Sequence, residues 1–321
     1  MLATLDRITF DNARTNVDRH ARRTPLVTSR SLSDATGFEV WLKAEVLQRT
    51  GSYKLRGPLN KLALMSQDER DRGVICSSAG NHAQGVALAA SLFGAPAVVV
   101  MAENATPTKI AATRAYGAEV VLHGSIWDEA NELALELAAE RGLTYVHPFD
   151  DLDLIAGQGT VALEILDDLP DADVIVVPIG GGGLISGIAA AAKSRRPDIS
   201  IIGVESTGAP AMKLSVDAGR RITLDRVDCK IDGLTVKRVG ENTLEIVRRF
   251  VDDIVTLPDE QIFDAVLWTM SRTKLVVEAA AAATVAALLA GRVESPPGAK
   301  VVCVLSGGNL NLEQLRGLRW N

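Results

Sequence analysis

The sequence predicts an α/β fold built as two domains, and two features of the 321-residue chain lead to this prediction. Short apolar runs alternate with segments of helical periodicity along most of the length, which is typical of crossover units and mostly parallel sheets. A polar, aspartate-rich stretch at 147–160 interrupts the alternation and indicates a domain junction. We therefore expect each domain to be a mostly parallel sheet flanked by helices.

The predicted strands are apolar runs, each followed by a helical pattern or a glycine-rich turn. They lie at 73–78, 96–101, 119–124, 173–180, 199–206 and 300–308. A helix is expected from about Asn81, and the alanine-rich stretch 274–291 is expected to be a buried helix with Glu278 inside it. The segment 218–243 lacks clear periodicity, and a loop of that length in a compact domain is usually functional.

Charge and cysteine content narrow the class of protein. A net charge of -6 gives no basic face for a nucleic acid or a membrane surface, so a small soluble ligand is expected. Cys76, Cys229 and Cys303 are far apart and form no CxxC pair, so neither a disulfide framework nor a zinc site is indicated. The N-terminal residues lack the apolar core of a signal peptide, and we expect a cytoplasmic protein.

Lys54 lies in the stretch GSYKLRG, where a polar loop gives way to a helix. By itself it reads as one more solvated lysine, because most lysines are exposed. Its place at a loop-to-helix junction also allows a chemical role, since such a junction is held by a scaffold and faces whatever the loop faces.

Four consecutive glycines, Gly180–Gly183, follow an apolar strand and open an apolar helix. They expose backbone N–H groups at the positive end of a helix dipole, which predicts a phosphate site. The dinucleotide fingerprint fails in both registers, because Ile185 or Ser186 stands where its third glycine is needed. The nucleotide-triphosphate loop fails as well, because Ile188 occupies the position of its lysine.

A phosphate site without a nucleotide motif, together with Lys54, favours pyridoxal 5'-phosphate, whose aldehyde condenses with a lysine amine. Two strand-end motifs narrow the choice. Ser78, Asn81 and His82 lie in SSAGNHAQG, which suits a carboxylate and a phenolic oxygen, although a simple helix cap explains this motif equally well. Ser306 lies in LSGGN, which suits a ring nitrogen or is a plain glycine turn.

The four motifs together, in this order and at these separations, resemble the fold-type II pyridoxal-phosphate enzymes, specifically the serine/threonine dehydratase and serine racemase branch. The resemblance extends from about Arg23 to Asn309. It implies a tryptophan-synthase β-like α/β fold with the cofactor in the cleft between two domains. The implied large, discontinuous domain comprises 1–53 and 149–321, and the small domain comprises 54–148.

The resemblance also implies roles for the matching residues. Lys54 resembles the Schiff-base lysine that removes the substrate Cα proton, and Asn81 resembles the ligand of the ring hydroxyl. Ser306 resembles the partner of the pyridine nitrogen, and Ser78, Asn81 and His82 lie in the stretch that grips the substrate carboxylate. The implied phosphate loop consists of Gly180, Gly181, Gly182, Gly183 and Leu184.

Two positions indicate which reaction of this branch the chain catalyses. A hydroxyl at Ser306 cannot keep the pyridine nitrogen protonated, so prompt loss of a β-hydroxyl is favoured over transamination. Racemases that resemble this chain carry a serine at the position of Ala79, as the acid/base on the face opposite the lysine, so the alanine favours a dehydratase. The metal site of some relatives needs a second carboxylate six residues after Glu205, where this chain has Ala211, and no metal is expected.

The sequence thus predicts an ammonia-lyase that converts L-threonine to 2-oxobutyrate and ammonia, or L-serine to pyruvate and ammonia. Twelve residues follow Asn309, which implies a catabolic type without a regulatory domain. Hydroxyaspartate or arylserine dehydratase and serine racemase remain open, as does an NAD-dependent oxidoreductase with Glu205 at the ribose. The family is usually dimeric or tetrameric, so a homo-oligomer is expected.

Overall fold

The computed structural model describes residues 10–310. The first part of the chain contains α1 (Phe10–Asp18), β1 (Leu26–Thr28), α2 (Arg30–Thr36), β2 (Glu39–Ala44), α3 (Arg56–Leu64), α4 (Gln67–Arg72), β3 (Val74–Ser77), α5 (Asn81–Phe93), β4 (Ala97–Met101), α6 (Pro107–Ala115), β5 (Glu119–Leu122), α7 (Trp127–Arg141) and β6 (Thr144–Tyr145). The second part contains α8 (Leu152–Asp168), β7 (Val174–Pro178), α9 (Gly183–Arg195), β8 (Ser200–Ser206), α10 (Ala211–Asp217), α11 (Glu241–Phe250), β9 (Asp253–Leu257), α12 (Asp259–Thr273), α13 (Ala279–Leu289) and β10 (Lys300–Leu305). Short 3-10 turns cover Glu45–Leu47 and Tyr53–Leu55.

The described residues form two units. The smaller unit comprises 10–22 and 54–158, and the larger comprises 23–53 and 159–310. These bounds differ from the implied domains, because α1 and residues 149–158 group with the smaller unit. The reason is packing: Val17 of α1 and Leu154 of α8 are fully buried in the same apolar core as Leu59 of α3.

The smaller unit is built on a four-stranded sheet with the order β5-β4-β3-β6, in which every pair is parallel. Strands β3 and β4 are buried along their whole length, as the apolar runs predict. Helix α4 begins with a capping box, in which Ser66 and Glu69 bond each other's backbone N–H groups. Because the strands are parallel, the segments that follow β3 and β6 leave the sheet at the same edge as neighbours.

The larger unit is built on a six-stranded sheet with the order β1-β2-β10-β7-β8-β9. Strand β1 is antiparallel to β2, and the remaining pairs are parallel. Helix α13 is buried from Ala279 to Leu288 and packs in the core of this sheet. The predicted helix was too long at its start, because α13 begins at Ala279 and Glu278 is its N-cap residue.

The apolar runs predicted six strands, and each contains an observed one: β3, β4, β5, β7, β8 and β10. The short strands β1 and β6 and the strands β2 and β9 were not predicted. The segment 218–240 contains neither a helix nor a strand, only one isolated bridge between Thr223 and Arg238. Within the described residues, no helix is long and apolar enough to cross a membrane.

Candidate active site

Lys54 belongs to the smaller unit and lies in the 3-10 turn that leads into α3. Its Nζ donates a hydrogen bond to the carbonyl oxygen of Pro148 at 2.7 Å. Helix α5 approaches the backbone of Lys54 so closely at Gly85 that a Cβ there would collide with the Lys54 carbonyl oxygen. The side chain is half-buried rather than fully solvated, and helix α5 packs closely against its backbone.

The predicted substrate turn also belongs to the smaller unit, at the carboxyl end of β3. The N–H of Gly80 donates to Ser78 Oγ at 3.2 Å, and Asn81 is the first residue of α5. No side chain caps this helix. The first N–H groups of a helix have no acceptor within it, so this end offers donors for a carboxylate.

His82 is 3 % exposed, and its Nε2 lies 3.0 Å from the carbonyl oxygen of Val146. A carbonyl only accepts, so the ring proton is on Nε2 and Nδ1 carries the lone pair. Burial, aided by the charge of Lys54, lowers the pKa of His82 to about 3, and the ring is neutral. Nδ1 is buried and has no hydrogen-bond partner among the described residues.

The glycine loop belongs to the larger unit and joins β7 to α9, as predicted. Gly182 is the N-cap of α9 with φ +94°, and no side chain caps the helix. A Cβ on Gly182 would lie 2.5 Å from Met212 Cε and 2.9 Å from Thr243 Cβ, and a Cβ on Gly180 would collide with the carbonyl oxygen of Gly233. Neither position has room for a side chain, so the loop keeps its backbone N–H groups bare.

Neighbouring segments hold the glycine loop in place. Thr243 Oγ1 of α11 donates to the carbonyl of Gly181 at 2.9 Å, and Ser186 Oγ donates to the carbonyl of Thr243 at 3.3 Å. Gly233, which packs against Gly180, lies in the 218–240 segment, whose Ile231 and Leu234 are buried in the core. The long irregular segment is therefore a packed support of the loop.

Ser306 follows β10, which pairs with β7 in parallel, so Ser306 and the glycine loop both come after the carboxyl ends of adjacent strands. Ser306 is 3 % exposed, and its carbonyl accepts a bond from the N–H of Tyr53 at 3.0 Å. Ser52 bridges to Gly307, and the Ser52 Oγ is buried without a hydrogen-bond partner among the described residues. The larger unit thus places small hydroxyls and bare N–H groups beyond the carboxyl ends of the central strands β7 and β10.

The carboxylate of Glu205, which was weighed as a metal ligand, accepts two hydrogen bonds from backbone N–H groups. Its Oε1 accepts from the N–H of Met212 at 2.8 Å and its Oε2 from that of Lys213 at 2.9 Å. Burial raises the pKa of Glu205 to about 7, although these two bonds lower it. The described part of the chain holds no cluster of three His, Cys, Asp or Glu residues that would suit a metal ion.

Three residues near these sites were not predicted from the sequence. Pro148 and His147 were read only as part of a domain junction, yet Pro148 contacts Lys54. Glu278 was read as an isolated charge in an apolar helix, but its Oε1 would lie 2.5 Å from a Cβ on Gly307. Burial of the Tyr53 hydroxyl raises the pKa of Tyr53, and the charge of Glu278 raises it further. The polar motif HPFDD at 147–151 was the available signal for the first two.

These groups fit pyridoxal phosphate chemically. The smaller unit places an amine, an amide and helix N–H groups at one sheet edge, and the larger unit places a bare glycine loop and the Ser306 hydroxyl at another. A phosphate needs several donors without side chains in the way, which the glycine loop supplies. The unpartnered Ser52 Oγ indicates that this part of the larger unit is shaped for a group with polar atoms.

Comparison with known proteins also indicates pyridoxal phosphate. The family described as pyridoxal-phosphate dependent enzyme matches residues 17–307. L-threonine ammonia-lyase of Thermotoga maritima is 48 % identical over 293 residues, which are 91 % of this chain and 73 % of that protein. The catabolic L-threonine dehydratase TdcB of Staphylococcus aureus is 44 % identical over 313 residues, which are 96 % of this chain and 90 % of that protein.

Solved structures with the same fold include both lyases and racemases. The processed form of threonine deaminase isoform 2 from Solanum lycopersicum has a TM-score of 0.94 at 37 % identity and covers 98 % of this chain and 92 % of its own. Maize serine racemase has a TM-score of 0.92 at 35 % identity, with 96 % and 94 % covered.

Proposed function

Since this chain belongs to the pyridoxal-phosphate-dependent enzymes, we propose that it is an ammonia-lyase that dehydrates and deaminates a β-hydroxy amino acid. L-Threonine, which gives 2-oxobutyrate and ammonia, is the proposed substrate, and L-serine, which gives pyruvate and ammonia, is the second. The observation that carries the proposal is that relatives named for threonine are 44 % to 48 % identical over more than nine-tenths of this chain.

In the smaller unit, Lys54 is the proposed residue that binds the cofactor aldehyde and then takes the proton from the substrate Cα at its Nζ. Asn81 is proposed to bind the ring hydroxyl through its amide. The hydroxyl of Ser78, with Asn81 and the N–H groups at the start of α5, is proposed to bind the substrate carboxylate. The sequence also predicted His82 as a substrate-binding residue, but its N–H is committed to Val146, so we propose that it supports the turn instead.

In the larger unit, the glycine loop Gly180–Gly183 and Leu184 are proposed to bind the cofactor phosphate, and the Ser306 hydroxyl is proposed to bind the pyridine nitrogen. When bound, pyridoxal phosphate supplies an electron acceptor that stabilises negative charge at the substrate Cα. A neutral hydroxyl at Ser306 limits the strength of that acceptor, which favours departure of the β-hydroxyl over storage of charge at Cα.

Serine racemase is the second candidate function, because a plant serine racemase shares the fold at 35 % identity. Racemisation needs a proton donor on the face of the substrate opposite Lys54. Ala79, between Ser78 and Gly80, has only a methyl group there. We therefore propose that elimination outruns racemisation in this chain.

The proposed enzyme is a cytoplasmic homo-oligomer that acts on a small amino acid. Cys76, Cys229 and Cys303 are all free thiols, which suits a reducing compartment. The surface carries large apolar side chains, such as Leu64, which is 55 % exposed. Light scattering of the purified protein tests the oligomeric state, and a monomer would contradict it.

A substrate panel tests the proposed function. The purified protein is loaded with pyridoxal phosphate and assayed for 2-oxo acid release from L-threonine, L-serine, hydroxyaspartate and arylserines, with D-serine formation from L-serine measured in parallel. The highest kcat/KM is expected with L-threonine. No 2-oxo acid from any of these substrates would overturn the proposal, and D-serine as the main product would replace it with the racemase.

A further inference from the structure

The turn that follows β6, residues 146–150, is fixed at its start in the smaller unit. The N–H of Val146 donates to the carbonyl of Ile75 at 2.8 Å, and the carbonyl of Val146 accepts from His82. The chain bends at 148–149 before α8 begins at Leu152, and the Pro148 carbonyl accepts a hydrogen bond from Lys54. The position of that carbonyl depends on how the 146–150 turn is held.

His147 holds the turn from within. Its Nδ1 accepts hydrogen bonds from the N–H of Asp150 at 2.8 Å and the N–H of Phe149 at 3.2 Å. Both donors follow Pro148, which has no N–H of its own. The ring also packs edge-on against Phe149, with centroids 4.7 Å apart, and against Tyr145 at 6.1 Å.

The Pro148 carbonyl sets the direction of the Lys54 amine. A neutral amine has one lone pair, and only that lone pair can attack an aldehyde or take a proton. When one N–H bond of Lys54 is directed at the Pro148 oxygen, the lone pair is confined to directions away from the turn. A shift of this carbonyl would remove this restraint on the direction of the amine, and an error of about 1 Å at a reacting group is costly.

The interaction requires a neutral His147, because Nδ1 accepts only while it is unprotonated. Burial, with a smaller contribution from the charge of Lys54, lowers the pKa of His147, and the carboxylates of Asp150 and Asp151 oppose this. His82, the other imidazole affected by Lys54, is neutral as well. The turn therefore keeps its acceptor near neutral pH and loses it in acid.

We propose that His147 is a positioning residue, whose unprotonated Nδ1 shapes the 146–150 turn so that the Pro148 carbonyl orients the amine of Lys54. The proposal rests on the proposed role of Lys54 in binding the cofactor and extends it to a residue that acts on Lys54 through the turn.

The test compares two substitutions in the full-length protein. His147→Phe keeps an aromatic ring for Phe149 and Tyr145 but removes the acceptor. His147→Asn removes the ring but restores an acceptor, because asparagine Oδ1 bonds backbone N–H groups two and three residues ahead. The first readout is the second-order rate constant with which cofactor-free protein binds pyridoxal phosphate, followed by visible absorbance. The second is the kcat and KM for L-threonine.

His147→Phe is expected to lower the binding rate constant and kcat by at least about tenfold, with KM changed less than about twofold, because the amine loses its direction. His147→Asn is expected to stay within about threefold of the unsubstituted protein, since the acceptor is restored. A rate constant unchanged in His147→Phe, or an Asn variant as slow as the Phe variant, would overturn the inference. Unsubstituted protein that binds no cofactor would overturn the proposed function with it.

A pH series tests the inference even if His147→Phe does not fold. As pH falls from 7 towards 4.5, the binding rate constant of the unsubstituted protein should decline more steeply than that of His147→Asn, whose acceptor does not titrate. Asp150, Asp151, Lys54 and His82 are present in both proteins, so their titration cancels in the comparison. Parallel pH profiles would overturn the inference.

Discussion

Ala79 is the residue at which we propose that a missing hydroxyl favours elimination over racemisation. It lies between Ser78, which bonds the N–H of Gly80, and the start of α5 at Asn81. Ala79 is partly buried and packs beside the core of the smaller unit. A serine there would add one oxygen to a turn that already accommodates the neighbouring hydroxyl, so the substitution should be tolerated.

Ala79→Ser is expected to raise D-serine formation from L-serine by at least about tenfold, since one positioned acid/base group contributes about 100-fold or more. Chiral chromatography of the reaction mixture measures it. Ala79→Gly is the matched control, which changes the side chain without adding a hydroxyl. Equal D-serine from both variants would show that the donor on the second face comes from elsewhere.

His82 makes a pH-dependent contribution to stability. In the unfolded chain its pKa is near 6.5, whereas in the folded protein burial lowers the pKa to about 3. Between these values the unfolded state binds a proton that the folded state does not, so the free energy of unfolding falls as pH falls. His82→Gln keeps a donor for Val146 but has no group that titrates.

The free energy of unfolding, measured by urea titration between pH 6 and 4, should therefore fall more steeply in the unsubstituted protein than in His82→Gln. The expected difference in slope is up to about 1.4 kcal/mol per pH unit, the value for one proton. Equal slopes would mean that His82 is protonated in the folded protein, and the assignment of its proton to Nε2 alone would be wrong.

Local sequence patterns predicted the proposed cofactor-binding residues but not the residues that hold them in place. Lys54 and the four glycines are visible because glycine repeats and strand-to-helix junctions are local features. The role of His147 is not visible, because its partners are backbone N–H groups, which every residue except proline carries. Without the structure, HPFDD is only a polar stretch.

The glycine loop is an element that tolerates little substitution. Gly182 combines a left-handed φ of +94° with close neighbours in Met212 and Thr243. Gly219 has a similar left-handed φ of +67°, but a Cβ there would meet nothing within 4 Å. An alanine at Gly219 would therefore cause backbone strain alone, whereas an alanine at Gly182 would cause both backbone strain and steric collision.

Gly182→Ala is expected to weaken cofactor binding by at least about tenfold, because the collision shifts the N–H groups of the loop as well as straining the backbone by about 1 kcal/mol or more. Gly219→Ala should show the strain as a modest loss of stability while cofactor affinity stays within about twofold. Equilibrium dialysis against pyridoxal phosphate measures both. An unchanged affinity in Gly182→Ala would remove the loop from the phosphate site.

Strand β2 shows why one element of the larger unit was not predicted. It carries Lys43, a charged residue in a segment that pairs with β1 and β10, and a charge argues against a buried strand. Lys43 is fully buried because Glu164 of α8 accepts a bond from its Nζ at 2.5 Å. A partner 121 positions away leaves no trace in the local pattern.

In the larger unit, loss of the buried Lys43–Glu164 ion pair should lower the free energy of unfolding strongly. Lys43→Ala leaves the Glu164 carboxylate buried without its cation, which costs about 3 to 5 kcal/mol. Lys193→Ala removes a partly exposed pair with Asp252 at 2.9 Å, which is worth about 1 kcal/mol or less. Urea unfolding of both variants measures the difference. Equal losses would mean that the buried charges find other partners.

The proposed function of the whole molecule depends on Lys54 being the residue that binds pyridoxal phosphate. The purified protein is reduced with borohydride and digested, and mass spectrometry locates the peptide that carries the pyridoxyl group. The group is expected on Lys54, with no modification of the Lys54→Ala variant. A pyridoxyl group on another lysine, or on none in protein supplied with pyridoxal phosphate, would contradict the account.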